Sequence, residues 1–256
     1  MRRTLLFALL LLCAPAMAKV ESSLTERIGL GEASQLVPEK KWALEAGVNF
    51  ALNRSSIYRN STYGLPSLLI RRRVNSFSEF RIATEYLVSS QLDETSLERG
   101  ESLAGLNYLS FGGKLALVNE GKQLPQTGLI VMLGLMETGS RHYELSETQL
   151  SFRLLSDKTL DARNTLSLNS GISSTAGSKG WQGDNTLTFG CQATEKVEVF
   201  AEAWNAWLQD YHELGVNLGM FIRPVPHLKL ELVSGLGYDG NTPKFYLNGG
   251  IAFETN

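Results

Sequence analysis

A histidine with two serines close by in the sequence is the one group that could do hydrolytic chemistry. His142 has Ser140 and Ser146 nearby, and a histidine beside a serine can act as the base that activates its hydroxyl. His212 and His227 have no such neighbours at the same spacing. Because no Gly-x-Ser-x-Gly element accompanies His142, the sequence favours a surface histidine over a catalytic one.

Motifs for cofactors, metals and nucleic acids are missing from the sequence. There is no glycine-rich phosphate loop, no His-x-x-x-His pair and no paired cysteine motif. The 26 acidic and 24 basic side chains nearly balance, which leaves no basic footprint for a nucleic acid. The sequence therefore predicts no cofactor, no metal site, no catalytic residue and no nucleic-acid partner.

Charged side chains recur at alternate positions of otherwise apolar segments. From Trp42 to Leu52 the even positions are apolar and the odd positions are small or polar. A period of two is typical of a β-strand with two different faces. The candidate residues on the polar face are Glu45, Glu79, Arg81, Glu85, Lys114, Arg153, Arg163, Glu198, Glu202 and Glu231.

This pattern predicts twelve strands and no helix. Two are less regular: Tyr63–Arg72 contains Pro66, and Val197–Trp207 places Phe200 and Trp204 on the same face as Glu198. The predicted strands are 42–52, 63–72, 79–88, 109–117, 129–135, 150–154, 160–169, 187–193, 197–207, 213–222, 228–238 and 245–253.

The length of these segments favours a membrane over a soluble core. Strands of globular proteins average about 5–6 residues, whereas a tilted strand needs about 9–11 to cross a bilayer. Short and long connections also alternate, as in outer-membrane barrels. Compact turns are predicted near Asn75, Glu120–Gly121, Asp157–Lys158, Glu195–Lys196 and Arg223–His227, and longer loops at Asn53–Ser61, Ser89–Ser102, Glu137–Ser146 and Ser173–Asn185.

The resulting fold prediction is an all-β, transmembrane, antiparallel up-and-down β-barrel of twelve strands with both termini in the periplasm. A soluble β-sandwich, with the charged face in water, is the alternative.

The start of the chain has the three parts of a secretory leader. Arg2 and Arg3 are basic, Leu5–Leu12 is apolar, and Ala16-Met17-Ala18 offers a small-x-small cleavage site. The predicted division is 1–18 signal peptide, 19–41 periplasmic segment or plug, 42–253 barrel and 254–256 tail. Residues 19–41 could enter the lumen or form a loose tail.

Three stretches give the chain a resemblance to a family of Gram-negative outer-membrane barrels described as transporters of the MetA pathway of phenol degradation. They are Trp42–Phe50, Glu79-Phe80-Arg81 and Glu198–Glu202, and Leu228–Tyr238 with Leu247–Phe253 is similar to the closing hairpin of that family. The resemblance implies an outer-membrane barrel that passes small molecules, aromatic ones among them, and it brings no catalytic residues. Such barrels end on an aromatic residue, whereas Phe253 is followed here by three more residues.

Together these observations predict a passive channel or uptake protein in the outer membrane of a Gram-negative bacterium. Its partners would be outer-membrane lipid, the barrel assembly machinery and small solutes. The polar face would then be a selective lining, whose excess of acids favours cations or neutral polar solutes, or a wall stiffened by ion pairs. A closed structural or adhesive barrel is one alternative function, and a lipid-modifying outer-membrane enzyme is another.

Overall fold

The computed structural model describes residues 31–54, 58–93, 95–96, 100, 102–175, 180–208, 211–240 and 242–255, so the predicted leader lies outside the described residues. The described residues form strands joined by turns and loops. No helix among them is long and apolar enough to span a membrane. The strands are β1 Trp42–Arg54, β2 Tyr58–Arg73, β3 Ser78–Asp93, β4 Leu103–Leu106, β5 Ser110–Val118, β6 Gln126–Gly134, β7 Gln149–Thr159, β8 Asn164–Ser174, β9 Trp181–Thr194, β10 Val197–Leu208, β11 Tyr211–Val225, β12 Leu228–Tyr238 and β13 Pro243–Glu254.

The strands close into a barrel. Every ladder between them is antiparallel, and β13 pairs with β1 from Glu254 opposite Ala43 onward. Both β4 and β5 pair with β3, one ladder above the other, so they occupy a single position in the wall. The thirteen described segments therefore form twelve barrel strands, and the predicted up-and-down barrel is confirmed.

The two faces of the wall are inverted relative to a soluble protein. Large apolar side chains point outward and are exposed, for example Leu214 at 64%, Leu218 at 52% and Leu236 at 60%. Charged side chains such as Glu79 and Lys114 are buried inside. In a soluble sandwich the apolar face would be covered, so the sandwich alternative is wrong and the exterior is suited to lipid.

The irregular pattern of β2 comes from a bulge. The register between β2 and β3 shifts between Gly64 and Ser67, around Pro66, which has no N–H to give to a ladder. Leu65 and Pro66 are both exposed, and beyond them the alternation resumes with Leu69 facing inward. Both irregular segments are strands, as predicted.

One predicted turn is misplaced. Asp157–Lys158 lies within β7, and the turn falls at residues 160–163. There the Asp161 carboxylate accepts hydrogen bonds from the backbone N–H groups of Arg163 and Asn164, at 2.8 and 2.9 Å. An aspartate that binds the backbone two residues on starts a turn, so β8 begins at Asn164 rather than at Leu160.

The two ends of the barrel differ. Both Trp42 and Glu254 lie at one end, here called the terminal end, which also carries the short turns after β2, β7, β9 and β11. At the opposite or loop end the strands run further than predicted: β3 continues to Asp93 and β9 starts at Trp181. Polar residues extend these ladders because they also pair across neighbouring strands. For example, the hydroxyl oxygens of Ser61 on β2 and Ser90 on β3 lie 2.8 Å apart.

Candidate functional site

The inner wall carries most of the charged residues that the alternation indicates. Glu45, Glu79, Arg81, Lys114, Glu202 and Glu231 are buried there, and Glu85, Arg153 and Glu198 are half-buried at inward positions of their strands. Arg163 is the exception, because it lies in the turn before β8 and not on a strand. That these side chains line a path for solutes stays a prediction.

The densest group of charges lies in the terminal half of the lumen. A Glu45 oxygen lies 2.6 Å from the Nη2 atom of Arg71, whose Nη1 atom is 3.7 Å from Glu79. The same Glu79 oxygen is 3.7 Å from Arg81 and 3.9 Å from Lys114. Buried charges are tolerated only when they are paired, so these five residues depend on one another.

Arg71 is absent from the predicted lumen residues although it is fully buried. The bulge in β2 shifts the alternation by one residue. An alternation that starts at Tyr63 and ignores the bulge would therefore place Arg71 on the outer face. The signal that could have found it is Pro66, because a proline inside a strand often marks a bulge, and a one-residue bulge reverses the face of every residue after it.

A segment that precedes the barrel lies inside it. Residues 31–37, named here the lumen segment, donate backbone hydrogen bonds to oxygen atoms of the wall, and Ser34 and Val37 are fully buried. The acceptors are Glu202 for Gly31 at 2.9 Å, Asn169 for Glu32 at 2.7 Å, Asp157 for Ser34 at 2.6 Å and Glu79 for Val37 at 2.8 Å. Four different strands therefore hold the segment.

Basic side chains of the wall bind the same segment. The Lys114 ammonium donates to the carbonyl oxygens of Ala33 and Gln35, at 2.7 and 2.9 Å. Arg81 donates to the carboxylate of Glu32 at 2.8 Å. Charge-assisted hydrogen bonds of this kind are stronger than neutral ones, so the lumen segment is anchored on both sides and narrows the terminal half of the lumen.

An aromatic and cationic stack forms part of the neighbouring wall. The rings of Phe200 and Phe221 stack with centroids 5.0 Å apart, and the Lys229 ammonium lies 3.5 Å from the centroid of Phe221. Glu198 and Arg223 pair nearby at 3.9 Å. A cation over an aromatic face is favourable, and this contact accounts for a buried lysine that faces the lumen.

Cavities remain in the lumen beyond the lumen segment. One of about 360 Å³ lies between β9, β10, β11 and β13, where Trp204, Glu213 and Tyr246 line it. A second of about 260 Å³ adjoins it and shares Tyr246 and Asn248. Neither is lined by residues 31–37. The space in these two cavities is therefore not filled by the lumen segment.

The histidine group has no catalytic geometry among the described residues. The Ser140 hydroxyl accepts a hydrogen bond from the Leu106 N–H at 2.8 Å, and no hydrogen bond joins His142 to Ser140 or Ser146. His227 packs edge-on against the ring of Phe253, at 5.5 Å between centroids. Within the described part of the chain no three His, Cys, Asp or Glu side chains lie close enough together to hold a metal ion.

Comparison of the sequence with family models finds no match. No curated protein matches it either. Solved structures do match, and among them is an outer membrane channel from Pseudomonas putida F1, at 10% identity and a TM-score of 0.69, with 87% of this chain and 98% of that chain covered.

Two further structures match at lower similarity. The β domain of the Bordetella autotransporter BrkA has 10% identity and a TM-score of 0.59, with 84% of this chain and 100% of that chain covered. The NanC porin has 7% identity and a TM-score of 0.52, with 81% and 98% covered. At such low identity the likeness is one of fold, and this chain has the fold of a transmembrane, antiparallel up-and-down β-barrel of twelve strands.

Proposed function

We propose that the protein is a passive channel of the Gram-negative outer membrane for small molecules. The observation that carries the proposal is the hollow, charged interior inside an apolar exterior. Buried Glu202 and Glu213 each line a cavity of the lumen, while Leu214 and Leu218 face outward. Closed barrels of this kind satisfy every backbone group within lipid, and a polar lumen lets solutes pass.

The comparisons support this function at the level of fold. One matched structure is described as an outer membrane channel and another as a porin. We further propose a relationship to the barrels of the MetA phenol-degradation family, with aromatic molecules among the solutes. Cleavage after Ala18, both termini in the periplasm, and lipid and the assembly machinery as partners belong to the same proposal.

The lumen segment acts in this proposal as a plug. Its hydrogen bonds to Glu202, Asp157 and Glu79 come from three separate strands, which favours a plug over a loose tail for this part of the chain. The same contacts favour the second candidate function, a closed structural barrel. The two differ in one respect: a channel conducts once the segment is loosened, and a closed barrel does not.

Conductance of the mature full-length protein in a planar bilayer separates the two functions. We expect small conductance for the unmodified protein and a clear increase for Lys114→Met, because this change removes both hydrogen bonds to Ala33 and Gln35. Lys229→Met is the matched control, since Lys229 is equally buried and no hydrogen bond links it to the described lumen segment.

The contradicting result is equally clear. If neither the unmodified protein nor a folded Lys114→Met barrel passes current, the channel is rejected and the closed structural barrel is favoured. An increase of the same size in Lys229→Met would show that general loosening of the wall, and not release of the lumen segment, opens the pore.

A further inference from the structure

The cavity of about 360 Å³ in the loop half is built around one tryptophan. Trp204 is 7% exposed, and its indole N–H donates to the Asn217 side chain at 3.3 Å. The ring meets Tyr246 nearly edge to face, with 5.9 Å between centroids and 72° between planes. Two aromatic rings at this angle present one ring face and one ring edge to the cavity, and a third ring can contact both.

Glycines in the wall make this arrangement possible. A Cβ atom at Gly215 would lie 2.3 Å from the indole ring of Trp204, and one at Gly237 would lie 3.2 Å from it and 2.8 Å from a Glu213 oxygen. Both residues occupy inward positions of neighbouring strands. The indole therefore lies directly against the backbone of the wall, and the space in front of it stays open.

The charged residues around the cavity are already neutralised. Glu213 accepts hydrogen bonds from the Tyr246 hydroxyl and the Lys244 ammonium, and Asp184 pairs with Arg153 at 2.6 Å. A charged solute would lose its hydration here without meeting an unpaired opposite charge. The site is thus suited to a neutral solute.

Two amides complete the lining. The side chains of Gln182 and Asn248 both line the cavity, and neither has a hydrogen-bond partner among the described residues. Each amide offers one acceptor and two donor hydrogens, so both can bind hydroxyl groups. A cavity of about 360 Å³ exceeds the roughly 150 Å³ that holds a benzene molecule, and a single substituted ring therefore fits.

We propose that this cavity is a binding subsite for a neutral solute made of one six-membered ring that carries hydroxyl groups. The ring lies against Trp204 and Tyr246, and its hydroxyls bind the amides of Gln182 and Asn248. Phenols and monosaccharides share this chemistry. The inference rests on the proposed channel function, which brings solutes into the lumen.

Calorimetric titration of the mature full-length protein in detergent tests the subsite without requiring transport. The probes are phenol, glucose and benzoate, the last being a charged ring of similar size. Binding of phenol or glucose, together with much weaker binding of benzoate, supports the proposal. Which of the two neutral probes binds shows whether the solute is a phenol or a monosaccharide. Benzoate bound as tightly as the neutral rings would overturn it, as would the absence of binding by both neutral rings.

Variants locate the binding. We expect Trp204→Leu to weaken binding by about tenfold, the upper range of an aromatic contact, and Asn248→Leu to weaken it by about fivefold through loss of a hydrogen bond. The controls are Trp181→Leu and Asn205→Leu, whose side chains are exposed and do not line the cavity.

Asn248→Leu keeps the test valid if the tryptophan variant fails to fold. Binding that is unchanged in Asn248→Leu, or weakened equally in Asn205→Leu, would overturn the assignment. Because conductance is measured separately, a channel that conducts but binds neither ring would reject the subsite and leave the channel function standing.

Discussion

At the scale of single residues, Arg71 and Arg72 are sequence neighbours with opposite surroundings. Arg71 is fully buried between Glu45 and Glu79. Arg72 is exposed on the outer face, where its guanidinium lies 4.7 Å from the centre of the Trp42 ring. Removing an ion pair in the barrel interior should lower the free energy of unfolding more than removing a cation from an exposed aromatic ring.

We expect Arg71→Met to lower the free energy of unfolding by about 3–5 kcal/mol. The change leaves the buried Glu45 carboxylate without its ion-pair partner at 2.6 Å and removes one of the cations near Glu79. Arg72→Met, the matched control, should cost only about 0.5–1 kcal/mol, the value of an exposed cation–π contact. Urea unfolding of the reconstituted barrel measures both. Equal losses in the two variants would mean that the interior pair contributes no more than a surface contact.

At the scale of strands, the alternation of β11 can be tested at one outward and one inward position. Leu218→Arg places a charge on the lipid face, where about 2–4 kcal/mol of stability is lost near the bilayer centre. Asn217, although inward, is a poor control, since its amide donates to Glu202 and accepts from Trp204.

Asn248→Arg is the better control, because Asn248 faces two cavities and the longer side chain finds room and water there. We expect it to cost much less than Leu218→Arg in the same unfolding measurement. A loss at Asn248 as large as that at Leu218 would contradict the assignment of the two faces.

The turn between β7 and β8 predicts a dependence on pH. Hydrogen bonds from the Asn164 side chain and from the backbone N–H groups of Arg163 and Asn164 lower the pKa of Asp161 below its ordinary value, which is about 3.9. The ionised carboxylate therefore stabilises the fold above that ordinary value, and this contribution disappears as the pH falls through the lowered pKa.

Asp161→Asn should accordingly be less stable than the unmodified protein at neutral pH, with the difference shrinking toward zero in acid. The measurement is the unfolding midpoint in urea over a series of pH values from about 7 to about 2. A difference that stays constant over the whole series would show that the charge of Asp161 does not support the turn.

At the scale of the whole molecule, the apolar exterior determines where the protein can reside. Leu44, Val48 and Ile251 are exposed on neighbouring strands, and an apolar surface that encircles a barrel needs lipid. We expect the mature chain to begin at Lys19, as measured by mass spectrometry, and to fractionate with the outer membrane. Recovery from the periplasm as a soluble protein without detergent would contradict this placement.

The architecture and the two faces of the wall could be read from the order of the residues. Strand alternation is a local property, and a residue two positions from another lies on the same face whatever the rest of the chain does. That rule predicts the twelve strands and the outward leucines of β11 and β12. It also places nine of the ten predicted charged residues at inward positions. Where the rule failed, at Arg71 and Arg163, a bulge and an Asx turn had interrupted the strand.

Which inward residues meet depends on how the barrel closes. Gly31 and Glu202 are separated by 171 positions and Glu32 and Asn169 by 137, and no periodicity connects residues so far apart. Closing the sheet brings these residues to the same depth of the lumen. The absence of a side chain at Gly215 and Gly237 leaves the space that the Trp204 ring occupies. The lumen segment and the aromatic cavity thus depend on the curvature and closure of the barrel, because these are collective properties that single strands do not carry.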